Sequence, residues 1–130
     1  RTNKPIRVAL EDPDDPSCAV GVALIGDGAS CASAPSRRHW EVAVNEQTHL
    51  AIHHLLNAID GLPVQQTEAA WVAVQSASFG DYPTAVADGL ATALFVADPN
   101  ELRSVFVFDC ATLDADRHAT ISAGFPGRFF

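Results

Sequence analysis

The stretch FGDYPTAVADGLATALFVADPNELRSVFVF, residues 79–108, decides how we expect this chain to fold. Its first half predicts a helix that begins near Asp81, because Pro83 suits a first helical turn. The apolar residues of this helix recur at helical spacing and form one buried stripe: Val86, Leu90, Ala93 and Leu94. Asp98-Pro99 ends the helix. The apolar run 104–108 then predicts a strand buried on both faces.

A second amphipathic segment lies earlier in the chain. Between residues 46 and 59, apolar side chains fall on one face at spacings of three and four, which predicts another helix. Asn45 is placed to be its N-cap, and Gly61 follows its end. Its expected buried stripe consists of Thr48, Ile52, Leu55, Leu56 and Ile59.

Several other segments have the composition of strands or turns. The acidic, proline-containing residues 11–16 predict a turn, because proline cannot continue a ladder. Residues 26–28 predict a hairpin turn, and residues 27–38 predict a loop. The predicted strands are residues 6–10, 19–25, 40–44, 70–74 and 119–123.

The order of these elements predicts a single α+β domain over residues 1–130, with residues 1–5 as a loose terminus. We expect one mixed β-sheet with two helices packed on one face. Residues 19–25 and 104–108 are apolar enough to be buried on both faces. The second sheet face is therefore expected to be covered by self-association.

Composition excludes several classes of protein. The chain has 130 residues, a net charge of −8 and 48% hydrophobic side chains, so it can bury a core. Acidic residues outnumber basic ones by 16 to 8, which argues against a nucleic-acid partner. The longest nearly apolar stretch, residues 85–97, carries Asp88 and is shorter than the about 20 residues of a membrane span. We expect neither a nucleic-acid nor a membrane partner.

Cysteine and methionine usage bears on the cellular compartment. The chain has three cysteines, no methionine and no apolar signal core. Free thiols in a cytoplasmic protein are the main expectation. A Cys18–Cys31 bridge in a secreted chain, with Cys110 left over, is the alternative. The missing methionine indicates a processed product, a trimmed chain or a piece of a larger polypeptide.

Three short segments carry a resemblance to a known family. Glu46-Gln47-Thr48 opens the first predicted helix, Phe79-Gly80-Asp81-Tyr82 enters the second, and Leu102-Arg103-Ser104-Val105 heads the predicted strand. In order and spacing they resemble the YjgF/RidA family of small trimers, which bind or deaminate enamine and imine metabolites. The resemblance implies a chorismate-mutase-like fold and a homotrimer with ligand clefts between subunits.

The same resemblance implies a site. Arg103, with Ser104 beside it, would bind the carboxylate of a small metabolite, since a guanidinium can hold a carboxylate through two hydrogen bonds. The glutamate with which the family positions or activates water falls near His118 or Thr120, so these two are the catalytic candidates. The alternative for Arg103 is a surface ion pair with Glu101 or a neighbouring subunit. We expect no metal and no cofactor.

The resemblance implies a small-metabolite-binding protein, or a hydrolase of deaminase type acting on an imine, an enamine or a related small carboxylic acid at a cleft between subunits. It leaves open whether the chain is an enzyme. The alternative is a non-enzymatic acidic protein of the immunity or inhibitor type, whose carboxylates steer a basic partner. A ribonuclease-H-like fold also fits the order of elements, but only Glu11 stands where a catalytic carboxylate belongs.

Other candidate groups have simpler interpretations. The carboxylates of residues 11–15 are interpreted as a solvated turn, because the calcium-loop pattern is missing. His49 and His53 are spaced for one metal but lack a third ligand, so we interpret them as surface or interface side chains. Cys110 is interpreted as an inert core thiol. The C-terminal aromatic residues are expected to pack into a core or a partner surface: Phe125, Phe129 and Phe130.

Overall fold

A computed structural model describes residues 4–130 of this chain; residues 1–3, part of the terminus expected to be loose, lie outside the described residues. Helices and antiparallel strands occur together, so the predicted α+β class is confirmed. The strands are β1 Ile6–Glu11, β2 Ala19–Ile25, β3 Gly28–Ser33, β4 His39–Asn45, β5 Thr48–His53, β6 Thr67–Gln75, β7 Asp109–Asp114, β8 Ala119–Ile121 and β9 Gly127–Phe129. The helices are α1 Ser76–Phe79, α2 Pro83–Ala93 and α3 Pro99–Val105, with a 3-10 turn at Pro35–Arg37.

The described strands form three antiparallel sheets, so the single mixed sheet predicted from the sequence is wrong. The sheet orders are β3-β6-β7-β8, β1-β2-β9 and β4-β5. Five of the predicted strands coincide with β1, β2, β4, β6 and β8. Sequence pattern located these strands, but their grouping depends on partners that are distant in the chain.

The core has three layers, with β6 in the middle layer. Successive side chains of a strand point to opposite faces, and β6 buries both sets. Ala70, Val72 and Val74 pack with the buried residues of α2. Ala69 and Trp71 pack with buried residues of β1 and β2. The second sheet face, expected to be covered by another subunit, is thus covered by the chain itself.

The helix predicted from Asp81 is present as α2. Pro83 stands at its first turn, where a missing N–H costs nothing. Leu90 is buried within the helix and Leu94 directly after it, while Val86 is half-buried. The sequence therefore located this helix and most of its buried stripe.

The strand predicted at residues 104–108 is wrong. Its first two residues end α3, and β7 begins only at Asp109. The cause is Asp98, whose carboxylate accepts hydrogen bonds from two N–H groups of the first turn of α3. An N-cap followed by proline starts a helix despite the β-branched residues that come later. Val105 and Val107 are 74% and 73% exposed, so this run is not a core strand.

The helix predicted at residues 46–59 is also wrong, because β4 and β5 form a two-stranded ribbon there. The Asn45 carboxamide accepts a hydrogen bond from the N–H of Gln47 at 3.0 Å, so Asn45 makes the turn between strands and does not cap a helix. Thr48 and Ile52 are four residues apart, a spacing that fits a period of two as well as a helical period. Pairing with β4 decides between the two.

The loop predicted over residues 27–38 contains strand β3. This strand pairs with β6 and not with β2, so residues 26–28 link two sheets and do not form a hairpin turn. Gly28 has a φ of +158°, and a Cβ at this position would collide with the carbonyl oxygen of Val74. Ala29 and Cys31 pack against the core that contains α2, and their small side chains let the helix lie close to the sheet.

The C-terminal segment supplies β9, and its aromatic side chains Phe125 and Phe129 pack in the core under the sheet β1-β2-β9. Phe125 is buried, and the ring of Phe129 lies 5.8 Å from that of Trp71 in an edge-to-face arrangement. These two residues confirm the expected packing of the terminus. Phe130 is 81% exposed, so the expectation is wrong for this residue.

All three cysteines are free thiols, as the main expectation had it, and the alternative Cys18–Cys31 disulfide is wrong. The Cys18 thiol donates to the carboxylate of Asp15, and the Cys31 thiol donates to the carbonyl of Thr84. Cys110 is buried, as expected for a core thiol.

Candidate functional site

A cleft of about 1010 Å³ lies beside the end of α2. One wall is the loop between β5 and β6, a second is the segment that runs from α2 through α3, and a third is formed by β7 and β8. The lining residues come from positions 57–67, 94–103 and 110–122. Both apolar and polar side chains line this cleft.

The loop wall is anchored at its two ends. Leu55 is buried, and its carbonyl accepts a hydrogen bond from the N–H of Val64 at 3.0 Å. His53 adds a second anchor, because its Nε2 lies 2.7 Å from the Val64 carbonyl while its Nδ1 accepts from the Leu55 N–H. Both ring nitrogens are therefore used to fix the loop, which leaves none for a metal.

Arg103 supplies the only Lys or Arg side chain among the lining residues of the cleft. It lies in the last turn of α3 and not at the head of a strand, which corrects its predicted setting. Its side chain is 39% exposed, and its nearest carboxylate oxygen is Oδ1 of Asp109 at 3.9 Å from Nη2. Within residues 4–130 its guanidinium donates no hydrogen bond to the protein, so its N–H groups can serve a ligand.

A short chain of hydrogen bonds lies next to Arg103. The hydroxyl of Ser122 donates to Oδ1 of Asp109 at 2.7 Å. The N–H of Cys110 donates to the same hydroxyl oxygen at 3.0 Å. Gly124 completes the arrangement, since a Cβ there would lie 2.6 Å from Oδ2 of Asp109. The carboxylate of Asp109 thus has one well-defined position.

The thiol of Cys110 lines the cleft but is not activated as a nucleophile. Burial raises the pKa of the Cys110 thiol, and the nearby Arg103 offsets only part of this effect. The reactive species of cysteine is the thiolate. A protonated thiol in this position is consistent with the inert core role predicted from the sequence.

The structure brings together two of the four residues predicted to form a site. Arg103 and Thr120 both line the cleft. Ser104 lies outside the lining, and its hydroxyl donates to the carbonyl of Glu101 at 2.6 Å. His118 is exposed in the turn between β7 and β8, outside the lining.

His118 nevertheless contacts a residue of the cleft. Its N–H donates to Oδ1 of Asp114 at 2.8 Å, and its Nδ1 lies 3.4 Å from Oδ2 of the same carboxylate. The hydrogen bond from the His118 N–H holds the pKa of Asp114 below its usual range. His118 therefore fixes a carboxylate on the cleft wall and does not reach into the cleft itself.

Sequence reasoning missed Asp109 and Ser122. Asp109 follows the strand predicted at residues 104–108, but in the structure it begins β7, and Ser122 follows β8. They meet because β7 and β8 pair with Ala111 opposite Ile121. The available signal in the sequence is that Asp109 and Ser122 are polar residues at the ends of two apolar segments. Nothing in the sequence indicates that these two segments pair with each other.

The acidic turn over residues 11–15 is tied to a distant turn by charge. Arg117 donates to Asp12 at 2.7 and 2.8 Å and to Asp14 at 2.8 Å. The hydrogen bonds from Arg117 lower the pKa of Asp12 to about 2. Arg37 donates to Glu11 at 2.6 Å, so three of the four carboxylates in this turn are held by a guanidinium and are not simply solvated.

No group of three or more His, Cys, Asp or Glu side chains within residues 4–130 is placed to share a metal ion. His49 lies 3.9 Å from Glu41 across the ribbon, and His53 forms a hydrogen bond with the backbone carbonyl of Val64.

Within residues 4–130, no helix is both long enough and apolar enough to span a membrane.

Comparison with known proteins gives one family. The family model described as the ApbE family matches residues 1–115. The crystal structure of the ApbE protein from Thermotoga maritima has 18% sequence identity and a TM-score of 0.70, over 92% of this chain and 37% of that chain. The chain thus spans 37% of the length of this solved relative. No curated protein sequence matches the chain.

These findings overturn the YjgF/RidA resemblance and the function drawn from it. The imine or enamine hydrolase of deaminase type is wrong, and the acidic immunity or inhibitor protein gains no support. The structure shows why the resemblance misled. Glu46-Gln47-Thr48 lies in a hairpin and not in a helix, and Leu102-Arg103-Ser104-Val105 lies in a helix and not in a strand.

Proposed function

Because this chain belongs to the ApbE family, we propose that it handles a flavin and that the cleft beside Arg103 is where the flavin binds. The family match over residues 1–115 is the observation that carries the proposal. Transfer of the flavin to an acceptor would then be the activity to which this chain contributes.

The cleft has the chemical character that a phosphorylated flavin requires. Such a ligand has a flat apolar ring system and an anionic phosphate tail. Leu62, Val64 and Ile121 give the cleft apolar lining, and Arg103 provides a cation for the phosphate. Its volume of about 1010 Å³ lies at the upper end of ordinary ligand pockets, which run from about 300 to 1,000 Å³.

The carboxylates of the cleft do not compete strongly for Arg103. The Asp60 carboxylate accepts from the N–H of Leu62 at 2.9 Å, and Asp98 caps α3. Asp114 accepts from two N–H groups of its own turn. Within residues 4–130 none of these three carboxylates forms an ion pair with Arg103, so its N–H groups stay available to an anion.

Flavin fluorescence tests this proposal directly. The 130-residue chain is titrated into riboflavin 5′-phosphate and, separately, into riboflavin, which lacks the phosphate. Arg103→Ala should weaken binding of the phosphate form about tenfold or more and leave riboflavin binding unchanged, since charge-assisted hydrogen bonds contribute about 1.5–3 kcal/mol. Arg7→Ala removes an exposed arginine outside the cleft and is the matched control.

Two results would overturn the proposal. One is that the unaltered chain quenches neither riboflavin 5′-phosphate nor flavin adenine dinucleotide. The other is that Arg103→Ala binds the phosphate form as tightly as Arg7→Ala does. Equal loss with both variants would point to net charge alone and not to a phosphate site at Arg103.

In this proposal Arg103 acts as an anion clamp for a phosphate, where the sequence predicted that it would bind a small carboxylate metabolite. The homotrimer, the single domain and the cytoplasmic location stay predictions. Sedimentation equilibrium tests the trimer, because it gives the mass in solution directly.

A further inference from the structure

We infer that Ser122 is a positioning residue: it holds the carboxylate of Asp109 away from Arg103 and so keeps the guanidinium available to an anion in the cleft. The inference rests on the proposed function for the identity of that anion. The availability of the guanidinium itself can be measured without any ligand.

The distances show that Asp109 and Arg103 are neighbours that do not bind each other closely. Nη2 of Arg103 lies 3.9 Å from Oδ1 of Asp109. A guanidinium that binds a carboxylate directly sits at about 2.7–2.9 Å. The same Oδ1 instead accepts the hydroxyl proton of Ser122 at 2.7 Å. The carboxylate therefore has a closer partner than the arginine.

The direction of the Ser122 hydroxyl is fixed by the backbone. Its oxygen accepts the N–H of Cys110 at 3.0 Å, and the N–H of Ser122 donates to the Cys110 carbonyl at 2.9 Å. A hydroxyl has one proton to donate. With its oxygen already held by the Cys110 N–H, that proton is given to Asp109.

Gly124 makes room for the carboxylate on its other side. A Cβ at position 124 would lie 2.6 Å from Oδ2 and 2.7 Å from Oδ1 of Asp109. Any side chain here would move the carboxylate out of its present position. Ser122 and Gly124 together define where the charge of Asp109 is held, and at 3.9 Å that position lies beyond hydrogen-bond distance of Arg103.

Two substitutions should therefore have opposite effects. Ser122→Ala releases the carboxylate of Asp109, which can then bind Arg103 directly and compete with a ligand. Asp109→Asn removes the competing charge while keeping the size of the side chain. The double variant should behave like Asp109→Asn alone, because Ser122 acts only through Asp109.

Chemical modification of Arg103 with phenylglyoxal, followed by peptide mass spectrometry, measures how available the guanidinium is. We expect Ser122→Ala to slow modification roughly three- to fivefold, the range of an exposed ion pair, and Asp109→Asn to speed it. Ser17→Ala is the matched control, because the Ser17 hydroxyl also donates to an aspartate, Asp15, at 2.6 Å but lies outside the cleft. It should leave the rate unchanged.

Gly124→Ala provides a second route should Ser122→Ala fold poorly. It displaces the same carboxylate without touching Ser122, and it should also change the modification rate of Arg103. Thermal unfolding of each variant confirms that the fold is retained. Rates for Ser122→Ala and Gly124→Ala equal to that of Ser17→Ala would overturn the inference, as would a slower rate for Asp109→Asn.

Titration with riboflavin 5′-phosphate separates this inference from the proposed function. If the modification rates follow the expected pattern but the unaltered chain binds no flavin, the proposed function fails and the role of Ser122 stands. If flavin binds at Arg103 and the modification rates do not differ, the role of Ser122 fails and the proposed function stands.

Discussion

Strand β6 and the β4-β5 ribbon are both apolar and both antiparallel, yet they have opposite surroundings. β6 buries side chains on both of its faces, whereas every residue of β4 is exposed. The difference does not lie in their composition, because β4 contains Trp40, Val42 and Val44. It lies in the layers on either side, which β6 has and the ribbon lacks.

The ribbon still has an internal order. Trp40 pairs with Ile52 and Val42 pairs with Leu50, which places apolar side chains on one face. The other face pairs His39 with His53, Glu41 with Ala51 and Ala43 with His49. The ribbon is therefore paired and amphipathic, yet it buries little apolar surface. A lone two-stranded hairpin is at best marginally stable for this reason.

The two tryptophans test this comparison most strongly, since one lies in each region. Trp71 is 5% exposed and Trp40 is 49% exposed. We expect Trp71→Ala to lower the free energy of unfolding by about 3–5 kcal/mol, the usual cost of removing a buried aromatic side chain. Trp40→Ala should cost less than about 1 kcal/mol, as a surface change does. Urea denaturation followed by far-ultraviolet circular dichroism measures both.

Comparable losses for the two variants would break the comparison, because they would show that the ribbon carries part of the core. Iodide quenching of fluorescence supports the assignment independently. In Trp71→Phe the remaining indole, Trp40, should be readily quenched, while in Trp40→Phe the remaining indole should be protected.

We expect the next largest loss of stability from a substitution in the link between β2 and β3. Gly28→Ala should lower the free energy of unfolding by about 1–3 kcal/mol, because position 28 has a φ of +158° and a Cβ there meets the Val74 carbonyl. Gly26→Ala is the control, since no atom lies within 4 Å of the Cβ it adds. Thermal unfolding measures the two side by side. Equal midpoints would show that β3 can move away from β6.

We expect the smallest loss of stability from breaking the ion pairs between the turns at residues 11–16 and 114–118. Arg117→Ala should lower the melting temperature modestly at neutral pH. Arg117 lowers the pKa of Asp12 from 3.8 to about 2, so its contribution is complete above about pH 4 and is lost as the pH falls through 2. The difference in Tm between the two proteins should therefore shrink over this acidic range.

A melting series from pH 2 to pH 7 measures that difference, with Arg7→Ala as the charge-matched control. Arg7 is exposed, and no ion pair of it occurs within residues 4–130. A Tm difference for Arg117→Ala that stays constant down to pH 2 would show that the contact does not depend on the charge of Asp12.

Much of the fold could be predicted where the signal is local. Pro83 and the leucines that follow it located α2, and the apolar run Ala19–Ile25 located β2. The segment 46–59 failed because its apolar spacing satisfies both periods. Of its predicted stripe Leu55 alone is buried, while Leu56 and Ile59 are 54% and 94% exposed. Leu50, which lies off the helical stripe and two residues from Ile52, was the residue in this segment that favoured a strand.

The candidate site likewise contains one residue that the sequence indicated and two that it did not. Arg103 stood out in the sequence as a lone cation beside apolar residues, and it does line the cleft. Asp109 and Ser122 did not stand out, because their meeting depends on the register of β7 and β8. Sequence reasoning therefore found the charged group and missed the residues that set its availability.

The sequence by itself determined the α+β class, the helix α2, the buried strand β6 and the cation Arg103. Each of these follows from residues close together in the chain, through turn chemistry, periodicity or charge. Only the tertiary structure decided that residues 46–53 continue a ribbon, that β1-β2-β9 covers the second face of β6, and that Ser122 meets Asp109. The physical reason is that burial and pairing are supplied by neighbours distant in the chain, which no local pattern specifies.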